Sequence, residues 1–428
     1  MSTPVDELHP NTPVEPHSEV AEWVGEIDGT RAFSDEVRLT HAAGFLRARL
    51  LVRMNRRTLG FVTVGVDASV ALGREIAREV ARLAPRTDEI TSEPDRDQPI
   101  SVVLCTRDRP DGLRRALSSI LDSDHRDFEV VVVDNASSSL DSWRIVAELD
   151  DPRVRIIQAQ RPGLAFARNR GVVDAKNALI AFTDDDVSVD SGWLSALVGA
   201  FTDRDVACVT GLVPPAELAT TAQVAFQSRV GWTGDISTRK YRYVDGAQSR
   251  GALFPFRAGA YGTGANFAAR REHVIALGGF DERLGAGAPA RGGEDIDFFV
   301  RSVVAGRAVV FQPDAIVWHH HRADDGAYRD QMMAYGVGLG AWLTKVALDR
   351  RLRPIAIRRA APAAAHLVRS VFDRSGHGRP APNGSPGSDS GWDEVRGLLR
   401  GPAAFRASRR EGRVGRPLDG TPVRATGR

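Results

Sequence analysis

Lysine is nearly missing from this sequence. Of 57 basic residues only Lys176, Lys240 and Lys345 are lysines, so arginine carries the positive charge. The net charge is +2, which removes bulk attraction to nucleic acid as an argument for function. Cysteine is scarce too. Cys105 and Cys208 both lie in apolar, strand-like runs. That excludes a disulfide framework or a cysteine-rich zinc site and leaves two buried free thiols in a reducing compartment as the expectation. No run reaches the roughly 18 apolar residues of a membrane-spanning helix. The first residues are acidic and proline-rich, unlike a signal peptide. Neither a GxGxxG nor a Walker A sequence occurs, which argues against dinucleotide or P-loop chemistry. The expectation is a cytoplasmic protein, with peripheral contact at the inner face of a membrane left open.

What is present centres on Ile180-Ala-Phe-Thr-Asp-Asp-Asp-Val187. An apolar strand that ends in carboxylates delivers hard oxygen ligands to a divalent cation at the edge of a sheet. Strand alternation puts Asp184 and Asp186 on one face and Asp185 on the other. Two like charges on one face call for something positive between them, such as a metal carrying a diphosphate. A solvated turn with helix-capping acids is the plainer alternative.

Five segments follow from composition and periodicity. Residues 1–20 are polar, proline-rich and expected to be disordered. Residues 21–97 read as a small α+β accessory unit and linker, with strands near 20–24, 48–53 and 59–66. Residues 98–325 alternate strand and helix patterns, which predicts a doubly wound, mostly parallel mixed sheet with flanking helices. Its strands are expected at 100–106, 128–134, 154–158, 180–184 and 206–210, then as two short pieces at 308–311 and 315–318. Residues 326–372 read as a helical segment and 373–428 as a mostly disordered tail, with a short helix near 392–399. Asp134 and the acids at 184–186 all fall at strand C-termini, where ligands of such sheets bind. The weakly patterned region 214–260 is where an acceptor-binding loop is expected.

Ile100-Ser-Val-Val-Leu-Cys-Thr106, Val131-Val-Val-Asp-Asn135, Pro162-Gly-Leu-Ala-Phe-Ala-Arg-Asn-Arg-Gly171, Phe182-Thr-Asp-Asp-Asp186 and Gly293-Glu-Asp-Ile-Asp297 occur in that order. Together they resemble the family-2 inverting glycosyltransferases of the GT-A fold over residues 98 to about 325. The resemblance implies a nucleotide-sugar donor, a carbohydrate or lipid-linked acceptor, and Mg²⁺ or Mn²⁺ on the diphosphate, held at a DXD motif. It implies that Asp186 ligates the metal and that Asp184 faces the donor directly or through the metal, with Asp185 beside them. Asp295 then matches the general base, and Glu294 beside it an acceptor contact. Asp134 matches the acid that touches the nucleotide base or ribose. Thr106 and Arg109 stand at the first strand end, where the nucleotide would lie. Arg168 and Asn169 match a helix after the glycine-containing loop, with Arg168 paired to Asp184 or near phosphate. Of His319, His320 and His321, alternation puts the first and last on one face, and these two are the preferred further metal ligands.

Two other functions compete. A sugar-phosphate nucleotidyltransferase would want a glycine-rich basic loop after the first strand, where this chain has Arg107-Asp-Arg-Pro110. A non-enzymatic sugar-nucleotide-binding scaffold would not need both the metal acids and a base.

Overall fold

The structure is a computed structural model that describes residues 6–31, 33, 37–66, 71–83, 97–234, 236–243, 253–257, 259–359 and 387–418. The N-terminal unit holds β1 (Asp6–Leu8), β2 (Glu22–Asp28), β3 (Val37–Leu39), β4 (Arg47–Met54), β5 (Arg57–Gly65) and α1 (Leu72–Val80). Strands β2, β4 and β5 form one sheet, and β1 pairs with β3. Trp23, Leu50, Val52, Val62 and Ile76 close its core. The disorder expected over 1–20 is therefore corrected for residues 6–20. Their hydrogen bonds go to β3 and to the main domain, where His17 N–H donates to the Ala219 carbonyl.

The unit is fixed to the large sheet by buried polar contacts. Thr58 donates its N–H to Asp314 at 2.7 Å and its hydroxyl to the Pro313 carbonyl at 3.1 Å. Arg53 Nη1 reaches Asp190 at 2.8 Å.

The main domain runs β6 (Ile100–Thr106), α2 (Pro110–Leu121), β7 (Phe128–Asp134), α3 (Asp141–Leu149), β8 (Val154–Gln158), α4 (Leu164–Asp174), β9 (Leu179–Asp184), β10 (Val187–Val189), α5 (Trp193–Gly199), β11 (Val206–Leu212), α6 (Thr221–Val230), β12 (Arg239–Tyr241), β13 (Asn266–Arg270), α7 (Arg271–Ala276), α8 (Glu294–Val304), β14 (Ala308–His319) and α9 (Asp325–Leu348). The sheet order is β10-β14-β11-β13-β9-β6-β7-β8, with β12 on β14. Strands β9, β6, β7 and β8 are mutually parallel, as are β11 and β14, and β13 runs against its neighbours. This is a mixed, mostly parallel sheet. Its inner strands are apolar on both faces because helices cover both. Val103, Cys105, Val131, Val133 and Phe182 enter one core, and Val102, Leu104, Val130, Val132 and Ala181 the other. Both cysteines are buried and free.

The two short strands expected before the histidines are one strand, β14. A register shift opposite Gly211 and Leu212 absorbs Pro313, which cannot donate to a ladder.

Within the expected tail, residues 387–410 form a helix, α10 (Gly387–Arg410), packed on α9. The short helix expected near 392–399 lies inside this longer one. Glycines make the contact: a Cβ on Gly336 or Gly340 would run into the α10 backbone at Glu394 or Leu398. Beyond α10, Arg413 donates to the Pro162 carbonyl and Leu418 N–H to that of Gly278. Among the described residues no helix is long and apolar enough to cross a membrane.

Candidate active site

Parallel register brings three strand ends side by side. Cys105 of β6 lies opposite Asp184 of β9, and Thr106 opposite Asp134 of β7. After Asp184 the chain turns through Asp185 and Asp186 into β10, where Val187 pairs with His319 of β14. The turn thus delivers three acids to three environments. Asp185 is buried and accepts from Thr106 Oγ1 at 2.8 Å and Arg109 Nη1 at 3.0 Å. Asp186 accepts from Arg109 at 3.0 Å on one side and meets His319 Nε2 at 3.6 Å on the other. Asp184 accepts from Arg168 Nη2 at 3.1 Å. Gly112 in the first turn of α2 makes the close fit possible, because a Cβ there would strike the Asp185 carbonyl.

The three histidines are also divided. His320 turns away to Glu217 at 2.7 Å and Ser188 at 3.1 Å. His319 Nδ1 meets His321 Nδ1 at 2.8 Å, and His321 Nε2 meets Gln227 Oε1 at 3.0 Å. An amide oxygen can only accept. His321 therefore carries its proton on Nε2, its Nδ1 accepts, and His319 carries its proton on Nδ1. That leaves the His319 Nε2 lone pair facing Asp186. Of the two histidines expected as ligands, only His319 reaches Asp186; His321 is buried against Phe226 and sets the His319 tautomer.

The second acidic group is built at the start of α8, after a left-handed turn at Gly293 (φ 89°). Glu294 accepts from Arg168 Nη1 at 2.8 Å. Asp295 accepts from the backbone N–H of Gly264 and of Ile296, both at 2.8 Å. Asp297 points the other way, to Arg301 at 2.6 Å and to Lys345. Arg168 joins the two groups. Its guanidinium is 1% exposed, lies over Phe267 and Phe280, and also donates to the Gly264 carbonyl at 2.9 Å.

Charge follows from this packing. Burial pushes the Asp184 carboxyl up to about 7 against the pull of Arg168. Burial likewise pushes Glu294 up to about 7, with Asp295 adding to the shift and Arg168 opposing it. One guanidinium cannot neutralise two carboxylates, so the pair holds on to a proton. Asp186 differs: burial raises its carboxyl, but the pull of His319 when it is protonated, together with that of Arg109, outweighs this and holds it below the ordinary range. Burial lowers the His319 imidazole despite Asp186, which favours the neutral ring.

Two cavities meet here. The larger, about 400 Å³, is lined by Arg168, Asp184, Asp186, Trp232, Asp295 and His319 among others. The smaller, about 320 Å³, is lined by Thr106, Arg109, Asn135, Asp185 and Arg322. Asp184 and Asp186 belong to both. Besides His321, two expected residues line neither, Asp134 and Asn169. Asp134 gives its oxygens to Ser137 N–H and Trp143 Nε1, each at 3.0 Å. Asn169 bridges the Phe280 backbone, with its amide donating at 2.9 Å and its oxygen accepting at 2.8 Å. Both hold loops in place.

Sequence reasoning missed several lining residues. Gly264 has its N–H on Asp295 and its carbonyl on Arg168, and a Cβ would crowd both. Arg322, Trp232, Tyr335 and Glu394 come from stretches without a motif, as does Gln227, which lines neither cavity but pairs with His321; the only signal was their place in or after the weakly patterned region. Within 214–260, residues 235, 244–252 and 258 lie outside the described residues. The described part supplies Trp232 and Gly259 to the larger cavity.

A model described as Glycosyl transferase family 2 matches residues 101–277. The pre-mycofactocin glycosyltransferase of Mycobacterium tuberculosis (strain ATCC 25618 / H37Rv) is 27% identical over 264 residues, which cover 60% of this chain and 50% of that protein. The GalNAc(5)-diNAcBac-PP-undecaprenol beta-1,3-glucosyltransferase of Campylobacter jejuni is 34% identical over 103 residues, 23% of this chain and 33% of that one. This chain thus spans half the length or less of these relatives. A solved mannosyltransferase from Pyrobaculum calidifontis, in complex with GDP-Man and Mn²⁺, aligns over 74% of this chain and 90% of its own with a TM-score of 0.48 and 17% identity.

Proposed function

Because the chain belongs to glycosyl transferase family 2 through residues 101–277, we propose that it transfers a sugar from a nucleotide-sugar donor to an acceptor hydroxyl with inversion. The observation that carries the proposal is the shared edge of the two cavities. Asp184 and Asp186 stand at that edge, and His319 and Asp295 stand on the larger cavity alone.

The smaller cavity suits the nucleotide diphosphate. Arg109 and Arg322 line it, and their guanidinium groups can donate to phosphate oxygens. The residues also fit a divalent cation. An ionised carboxylate and a neutral imidazole nitrogen 3.6 Å apart are close to the roughly 3 Å between neighbouring ligand positions on an octahedral ion. Imidazole in the set favours Mn²⁺ over Mg²⁺. Asp186 and His319 would hold the ion, with Asp184 at its side. Bound there, it would supply Lewis-acid stabilisation of the leaving diphosphate.

The acceptor enters the larger cavity. Its hydroxyl oxygen attacks the anomeric carbon as the bond from that carbon to the diphosphate oxygen breaks. Asp295 takes the hydroxyl proton. Its two backbone hydrogen bonds fix the carboxylate and leave lone pairs open toward the cavity. Arg168 keeps Asp184 and Glu294 in place, and Glu294 is a candidate acceptor contact. A lipid-linked acceptor, like that in the name of the Campylobacter relative, is the acceptor class we favour.

Calorimetric titration with UDP, GDP and dTDP, with and without Mn²⁺, tests the proposal. One nucleotide should bind tightly only with metal. Loss of an outer-shell partner typically weakens a metal about 10- to 100-fold, so Asp186→Ala should cost at least about 100-fold. Metal-independent binding, or unchanged binding in the variant, would remove the metal assignment.

A further inference from the structure

Helix α10 has two chemically different sides. The inner side packs on α9 through Gly397, Gly401, Phe405 and Ser408, all buried. The outer side carries Trp392, Val395 and Leu399, which are 66%, 46% and 77% exposed. These positions fall at three- and four-residue steps, so they share one helical face. The same face continues with Arg396, Arg400, Arg406, Arg409 and Arg410, all exposed. Asp393 offsets part of this charge, at 3.5 Å from Arg396. The apolar side chains occupy the first turns, and a run of arginines the last.

We propose that this face docks on a bilayer surface bearing anionic headgroups. An amphipathic helix with Trp and Leu among arginines matches an interface that is apolar below and negatively charged above. Nucleic acid would meet the arginines but leave the tryptophan and leucine exposed. A second copy of the chain would bring a second arginine-rich face of the same sign.

The position of the face adds meaning. Glu394 lies on the same turn as Trp392 and Val395 but points inward, where it lines the larger cavity and pairs with Arg229. Docking would therefore hold that cavity near the headgroup plane. On the transfer reading, on which this step alone rests, the acceptor is an amphiphile presented by the membrane.

Co-sedimentation of the full chain with vesicles tests the docking. Phosphatidylcholine vesicles containing phosphatidylglycerol should bind the protein, pure phosphatidylcholine should not, and added salt should weaken binding. Trp392→Ser/Leu399→Ser and Arg406→Glu/Arg409→Glu should each lower binding by about tenfold or more. Circular dichroism and the Mn²⁺–nucleotide titration should be unchanged in both, which separates failure of docking from failure of the transfer reading. Absence of binding to the anionic vesicles, or binding unaffected by both double variants, would overturn the proposal. So would a dimer in solution that Trp392→Ser/Leu399→Ser dissolves while vesicles are ignored, because that assigns the face to a second copy.

Discussion

The site is built from two acidic clusters that look alike in sequence and divide their labour in the same way. At the end of β9 stand Asp184, Asp185 and Asp186, and at the start of α8 stand Glu294, Asp295 and Asp297. Each cluster commits one buried acid to side-chain partners: Asp185 to Thr106 and Arg109, Asp297 to Arg301 and Lys345. Each shares one acid with Arg168, Asp184 from the first and Glu294 from the second. Each turns one acid to the larger cavity, Asp186 and Asp295. The difference lies in what surrounds that third acid. Asp186 is flanked by a guanidinium and an imidazole. Asp295 is held by two backbone N–H groups. A carboxylate beside a fixed guanidinium stays ionised, and with a neutral imidazole next to it suits a cation and its diphosphate. A carboxylate fixed by backbone alone can accept a proton without losing an ion pair. On the proposed reading, the surroundings, and not the acid itself, separate metal ligand from base.

The sharpest way to break this contrast is Asp295→Asn. The amide oxygen can still accept from Gly264 N–H, so the fold and the Mn²⁺–nucleotide titration should not change. Turnover should fall by about 10²- to 10⁴-fold. Turnover near wild type would sink Asp295 as the base and leave its role positional.

The imidazole side of the contrast depends on the relay from Gln227 through His321 to His319. Gln227→Leu removes the acceptor that fixes both tautomers. Mn²⁺ affinity in the presence of nucleotide should drop about 10- to 100-fold, and Gln227→Glu, which keeps an accepting oxygen, should retain it. Equal affinity in all three proteins would show that His319 is not a ligand.

Much of this arrangement was legible in the sequence. Continuous apolar runs located β6, β7 and β9, and the acids at their ends located the site, because buried parallel strands leave little ambiguity of period. The limits have physical causes. Asp134 has the same strand-end position as Asp184, yet Trp143, one helical turn into α3, takes its carboxylate; tertiary partners of that kind leave no periodic trace. The three consecutive histidines could be halved by strand alternation but not resolved further, because the choice depends on Gln227 from a distant helix. Helix α10 was legible only in part, near 392–399, because of its own composition. Glycine lowers helix propensity, but here Gly397 and Gly401 allow the backbone of α9 to approach, and packing outweighs propensity. Pro402 misleads in the same way. The two hydrogen bonds that Gly264 makes to different clusters leave no trace in the sequence either.

The smallest effect concerns the acids that share Arg168. Both Asp184 and Glu294 titrate near 7 in the folded protein, against about 4 in an unfolded chain. Between those values the unfolded chain has released protons that the folded one still binds. Stability from these groups is therefore fully present below about pH 4 and is lost as pH rises toward 7. Glu294→Gln removes one of the two titrations and leaves Arg168 paired with Asp184 alone. Asp184 then gains the whole guanidinium, so its carboxyl should fall back toward the ordinary range. The decline in melting temperature between pH 4 and 7, measured without metal, should become about half as steep or less. An unchanged slope would show that the two acids do not compete for Arg168. The link between the clusters would then be steric, with Arg168 acting as a spacer between Phe267 and Phe280 and not as the shared countercharge.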